Sequence, residues 1–140
     1  MPYEAPRTIT ELDAARIREL GARLPDRGQG LAPLNGLIDI VEREADIVPG
    51  ANVAPDVVTV NSTVSFRDEL TGLVHRVTVV YPSEMSIGRR RISVLSPVGA
   101  ALLGQRAGRV ASVELPDGTH RDIRVLEVHY QPEASGHFAR

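Results

Sequence analysis

Near residue 50 the hydrophobic period of the chain changes, and that change limits the folds open to it more than any other feature. Before it, apolar residues recur in steps of three and four, the spacing of one helix face; after it they alternate, the spacing of a half-buried strand. Pro49, Gly50, Asn52 and Pro55 sit at the change and mark a linker. A helical segment of residues 1–50 followed by a strand-rich domain of residues 51–140 is therefore expected, an α+β arrangement.

In the first segment Leu12, Ile17, Leu20 and Leu24 form an apolar stripe, with Thr8 or Thr10 available as a helix cap. Pro25 cannot continue the hydrogen-bond ladder, and the turn formers from Pro25 to Gly30 reverse the chain. Leu34, Leu37, Ile38, Val41, Ala45 and Val48 then predict a second helix from about Pro33 to Ile47. The expected unit is a short antiparallel helical hairpin of coiled-coil type. Each arm has about 15 residues and so reaches only about 22 Å. Ile40 and Ile47 lie off the main stripe and need cover from the following domain or a partner, packing on the domain being the favoured reading.

In the second segment Val57 to Val60 suggest a first strand, Thr63 to Asp68 a second, and Leu73 to Tyr81 a third that reads as central and covered on both faces. Arg89, Arg90 and Arg91 stand together in a polar loop; a solvated loop before a short strand is the simpler reading, an acidic partner the alternative. Ser96 is suited to cap a helix and Pro97 to begin it, while Gly104 can take the left-handed conformation that ends it. That helix has about two turns and cannot persist alone, so a sheet must lie beneath it. Pro116-Asp117-Gly118 joins two further alternating segments into a hairpin. In its second strand the apolar parity changes between Val125 and Leu126, which requires a bulge or burial on both faces. Gln131 to Arg140 reads as a polar tail. The sum is a strongly bent antiparallel sheet of about five strands with one short helix.

Composition excludes several function classes. A net charge of -2 argues against nucleic-acid binding by bulk electrostatics, and no direct sequence-specific binding is expected. Zero cysteines exclude disulfides, thiol catalysis and thiolate metal sites. The four histidines, His75, His120, His129 and His137, show no metal-ligand spacing, and no phosphate-loop or nucleophile-elbow pattern occurs. No apolar run reaches membrane-spanning length and no secretory signal opens the chain, so a cytoplasmic monomer without cofactor or catalytic activity is expected. The acidic residues Glu11, Asp13, Asp39, Glu42, Glu44 and Asp46 read as a solvated helix face. At the hairpin tip only Asp26 could help hold a hydrolytic metal, and Arg27 stands next to it.

Several consecutive blocks carry a resemblance. DVVTVNSTVSFRD from Asp56, VVYPSEM from Val79, ISVLSPVGAALLG from Ile92, LPDG from Leu115 and VLEVHYQPEASG from Val125 together resemble the regulator of nucleoside diphosphate kinase (Rnk) family. The helical segment matches more loosely, through LDAARI from Leu12 and EREA from Glu42. Members of that family resemble the GreA and GreB transcript cleavage factors, whose C-terminal domain is FKBP-like and docks on RNA polymerase near the secondary channel. The resemblance implies that Ser93, Ser96, Pro97 and the adjoining helix, with Val98, Ala100 and Ala101, lie at the polymerase-binding face. The loop of Tyr81, Pro82, Ser83, Glu84 and Met85 corresponds to an acidic loop on the same side.

Cleavage factors carry a long coiled coil with paired acidic residues at its tip. Here the arms are short and the tip has one carboxylate, so the expectation is a factor that occupies the docking site and competes for it without cleaving RNA. The family name offers a second reading, an effect on nucleoside diphosphate kinase, direct or through transcription. A third comes from the fold: prolyl isomerases share it, but they line their pocket with aromatics. This chain has only three Tyr, two Phe and no Trp, which argues against that activity.

Overall fold

The computed structural model describes residues 6–23 and 32–137. The chain opens with a strand, β1 (Thr8–Thr10), which runs directly into helix α1 (Glu11–Arg23). The Thr10 hydroxyl accepts the Asp13 N–H at 3.1 Å and so caps α1. Helix α2 (Ala32–Asp39) follows, continues as one π turn over Ile40–Glu44, and gives way to strand β2 (Asp46–Val48). The second helix therefore ends earlier than its apolar spacing predicts. The Ala45 N–H reaches back five residues to the Ile40 carbonyl at 2.7 Å, and Ala45 itself is extended. Ile47 and Val48 instead pair in parallel with Ile9 and Thr10, a role that suits β-branched residues, and Pro49 disfavours a helical Val48.

The buried face of α1 is Asp13, Ala14, Ile17 and Gly21, rotated from the expected stripe, with Leu12 and Leu20 only half-buried. Ile17 meets Leu34, Leu37 and Val41 in a core that is continuous with the sheet residues Val58, Val60, Val64, Val79, Val113 and Val125. Ile40 and Ile47 are packed against the same core, as their position off the stripe requires. Burying each Ile or Leu contributes about 1.5–3 kcal/mol, so the two helices and the sheet depend on one another for stability.

Five strands form the sheet: β3 (Thr63–Asp68), β4 (Val74–Val80), β5 (Arg91–Ser93), β6 (Val110–Glu114) and β7 (His120–Tyr130), in the order β5-β4-β3-β7-β6. The central strand is β3. The strand expected there, β4, lies one place out, and Val74 at its start is 58% exposed while Val77, Val79 and Val80 are buried. The sheet is also mixed, because β4 and β5 run parallel, Thr78 beside Arg91 and Val80 beside Ser93. In β7 the register against β3 passes from Val125 to Glu127 and skips Leu126, so the parity change marks a bulge.

Two segments differ from their sequence reading for one physical reason. Val57 to Val60 are buried but form no strand, because their backbone groups find single partners instead of a ladder: the Val58 N–H donates to the Gln105 carbonyl at 2.9 Å and the Val58 carbonyl accepts from Gly104 at 2.8 Å. Gln131 is no tail residue. It is buried, and its side-chain amide donates to the Ala54 and Val57 carbonyls at 2.7 and 2.8 Å. Glu133 accepts from the Thr59 hydroxyl at 2.7 Å in a short 3-10 turn, Glu133–Ser135. Among the described residues no helix is long and apolar enough to cross a membrane.

Candidate functional site

Because β4 and β5 are parallel, the chain leaves both at the same edge of the sheet. The Val94 N–H donates to the Val80 carbonyl at 2.9 Å, which fixes the two exits side by side. From β4 comes the 3-10 turn Pro82–Glu84, with Tyr81 before it and Met85 after it. From β5 comes Ser93 and then helix α3 (Pro97–Leu102). The two segments singled out from the sequence are thereby neighbours.

Local chemistry sets the shape of this edge. The Ser96 hydroxyl accepts the Gly99 N–H at 3.1 Å and donates to the Ser93 carbonyl at 2.6 Å, so one side chain both caps α3 and ties it to β5. Pro97 occupies the first helical position. Gly99 is required by close approach: a Cβ there would lie 2.0 Å from the Ser93 carbonyl oxygen. The Ser93 hydroxyl accepts the Leu95 N–H at 2.9 Å. Gly104 takes φ +82, as expected of a helix stop, and its carbonyl accepts the Thr8 N–H at 3.1 Å.

The named residues divide by exposure. Ser83, Glu84 and Met85 are exposed, Met85 by 57%, and Tyr81, Pro82, Ser96, Pro97, Val98 and Ala100 are half-buried. Ser93 and Ala101 are buried and support the edge from beneath. Asp26 and Arg27, the expected hairpin tip, lie outside the described residues.

Sequence reasoning missed two side chains that hold this edge in place. The Arg7 guanidinium donates to the Ala100 and Leu103 carbonyls at 2.6 and 3.1 Å, at the C-terminus of α3 where the helix dipole favours a cation. Asp13, only 2% exposed, accepts the Tyr81 hydroxyl at 2.9 Å and the Val60 N–H at 3.0 Å. Burial pushes the Asp13 carboxyl up to about 6; the two donors work against that rise and the Glu133 carboxylate adds to it. Burial, and then Asp13, hold the Tyr81 phenol far above its ordinary range, while Arg16, 5.3 Å over the ring, pulls the other way. A signal for Asp13 was present: it stands four residues before Ile17, on the apolar face of α1 rather than the wet one.

Beneath α3 the concave face of the sheet forms a cleft of about 310 Å³, lined by Phe66, Val77, Ile92, Val98 and Ile123, with His75 and the Asp68–Arg121 pair among its walls. His75 stacks on Phe66 at 5.3 Å, and Phe66 is the one Phe, Tyr or Trp ring in the lining. Among the described residues no three His, Cys, Asp or Glu side chains cluster in a way that could hold a metal ion.

Residues 53–130, which include both halves of the edge, match the family described as "Transcription elongation factor, GreA/GreB, C-term". The chain belongs to the GreA/GreB family. Within it, the chain is 41% identical over 131 residues to the "Regulator of nucleoside diphosphate kinase" of Escherichia coli K12, covering 93% of each, and so belongs with the Rnk regulators. It is 36% identical over 100 residues to the "Transcription inhibitor protein Gfh1" of Thermus thermophilus, covering 70% of this chain and 62% of that protein. A solved GreA/GreB factor from Nitrosomonas europaea superposes with a TM-score of 0.72 at 35% identity, covering 89% of this chain and 99% of the other. The curled sheet with few helices is thus the GreA/GreB C-terminal architecture, within a family of transcription factors.

Proposed function

We propose that this Rnk-type protein docks on RNA polymerase near the secondary channel, through the edge formed by Tyr81–Met85 and Ser93–Ala101, and competes there with Gre-type factors without supporting transcript cleavage. The observation that carries the reading is the parallel pairing of β4 and β5, which sets two segments separated by residues 86–92 side by side as one partly exposed surface. The helical segment is the reason docking stops short of catalysis. Its first helix, 13 residues long, extends about 20 Å, and the turn-forming sequence Pro25 to Gly30 that follows carries one carboxylate, Asp26, so a segment of that reach and composition delivers no metal to a distant active centre. A relative named as a transcription inhibitor agrees with occupancy in place of cleavage.

The test is a pull-down of core RNA polymerase by the purified full chain, repeated with GreA as competitor. The expected result is binding that GreA displaces and that Glu84→Lys with Met85→Ala weakens at unchanged stability. RNA cleavage stimulated by the protein in backtracked complexes would overturn the reading. The name shared by the Rnk relatives supports a second reading, control of nucleoside diphosphate kinase. Adding the purified protein to that kinase separates the direct form of that control, a changed rate, from an effect through transcription, an unchanged one.

A further inference from the structure

Two of the three adjacent arginines, Arg89 and Arg90, line a different surface from the proposed docking edge. Arg89 and Arg90, in the loop before β5, lean over the opposite face of the sheet and join Arg76 of β4 around a cleft of about 210 Å³. Thr63 of β3 and Val77 and Thr78 of β4 complete its lining, and the two threonine hydroxyls are bonded to each other at 2.8 Å. Whichever hydroxyl donates in that pair, the accepting one keeps its own proton for a ligand.

The charge here is not balanced. Among the described residues none of Arg76, Arg89 and Arg90 enters an ion pair. In cross-strand register with Arg76 is Glu127, two strands away across Ser65, and its carboxylate contacts His129 at 2.7 Å. The backbone is shaped for this as well. Arg90 takes φ +54, a left-handed conformation unusual for a side chain of its size, and is held there by the Thr78 N–H on its carbonyl at 2.9 Å.

We propose that this cleft is an oxyanion site that takes a phosphate or diphosphate group. Three guanidinium groups offer paired donors to tetrahedral oxygens, and the hydroxyl floor supplies one more. The cleft lies below the roughly 300 Å³ at which pockets hold whole small molecules, so it seats the phosphate end of a ligand and leaves the remainder in water. Its concave shape favours such a compact group over the extended carboxylates of an acidic protein segment. Free diphosphate and the tail of a nucleotide share this chemistry.

Amide shifts of the ¹⁵N-labelled full chain, followed at constant ionic strength during titration with inorganic phosphate, pyrophosphate and ADP, test the proposal. Saturable shifts are expected at Thr63, Arg76, Thr78 and Arg90, with pyrophosphate tighter than phosphate. Equal affinity for ADP and pyrophosphate supports the site with the phosphate group as sole determinant; tighter ADP supports it with a nucleotide as source. Arg90→Gly keeps the left-handed backbone without the guanidinium. It should weaken pyrophosphate about tenfold or more while its melting temperature stays equal or rises. Arg76→Gln should weaken it similarly. Shifts that never saturate, that survive both variants, or that an acidic peptide reproduces at lower concentration than pyrophosphate would overturn the proposal.

Discussion

Arg7 and Asp13 both fasten the N-terminal segment to the candidate edge, and they do so in opposite electrical settings. Arg7 is a half-buried cation on the C-terminal carbonyls of α3, where the helix dipole welcomes it. Asp13 is an almost fully buried anion bonded to Tyr81, satisfied by neutral donors and, among the described residues, by no salt bridge. One clamp holds the helix half of the edge and the other holds the loop half. The difference is that only the second carries a charge the fold resists, so only the second makes the edge sensitive to pH.

The largest break in this comparison is Asp13→Ala. It leaves the Val60 N–H and the Tyr81 hydroxyl buried without an acceptor and opens space in the core, a loss of about 2–4 kcal/mol in urea unfolding. Next is the pH profile of Asp13 itself. Its folded value near 6 lies above its ordinary 3.8, so the folded state holds the proton more tightly. The stability this confers is fully present below about pH 4 and is lost as pH rises through about 6, by about 2–3 kcal/mol. The difference in unfolding free energy between wild type and Asp13→Asn, measured from pH 4 to 7, should fall with pH by that amount. A flat difference would remove the distinction between the two clamps.

Smaller effects sharpen it. Arg7→Ala should cost about 1–1.5 kcal/mol, and its effect should be the same at pH 5 and pH 8 because a guanidinium does not titrate there. Tyr81→Phe should cost about 1 kcal/mol at pH 7, and should raise the Asp13 midpoint seen by side-chain carboxyl NMR, since a donor to its charged form is gone.

What the chain discloses in advance depends on how local each interaction is. The Ser96 cap, the Pro97 start, the Gly104 stop and the bulge beside Leu126 each follow from a few adjacent residues, and each is present. The parallel pair of β1 and β2 is not local: three residues of alternation at Asp46–Val48 fit a helix stripe as well as a strand, and only a partner nearly forty positions away decides. Parallel pairing of β4 with β5 spans only the loop between Val80 and Arg91, yet no local pattern sets its direction, although it is what assembles the candidate edge. Asp13 reads as part of a solvated helix face and Gln131 as part of a polar tail because their types are usually wet; each, like Arg7, is instead the partner of backbone groups in the fold. The candidate edge was thus legible as two segments, and the reason they lie side by side was not.

Hydrogen–deuterium exchange of the full chain, free and bound to core RNA polymerase, tests the central claim most directly. The account predicts concerted protection of residues 81–85 and 93–101, lost together when GreA is added in excess. Protection confined to the helical segment, or to only one of those two stretches, would contradict a single docking edge built from both.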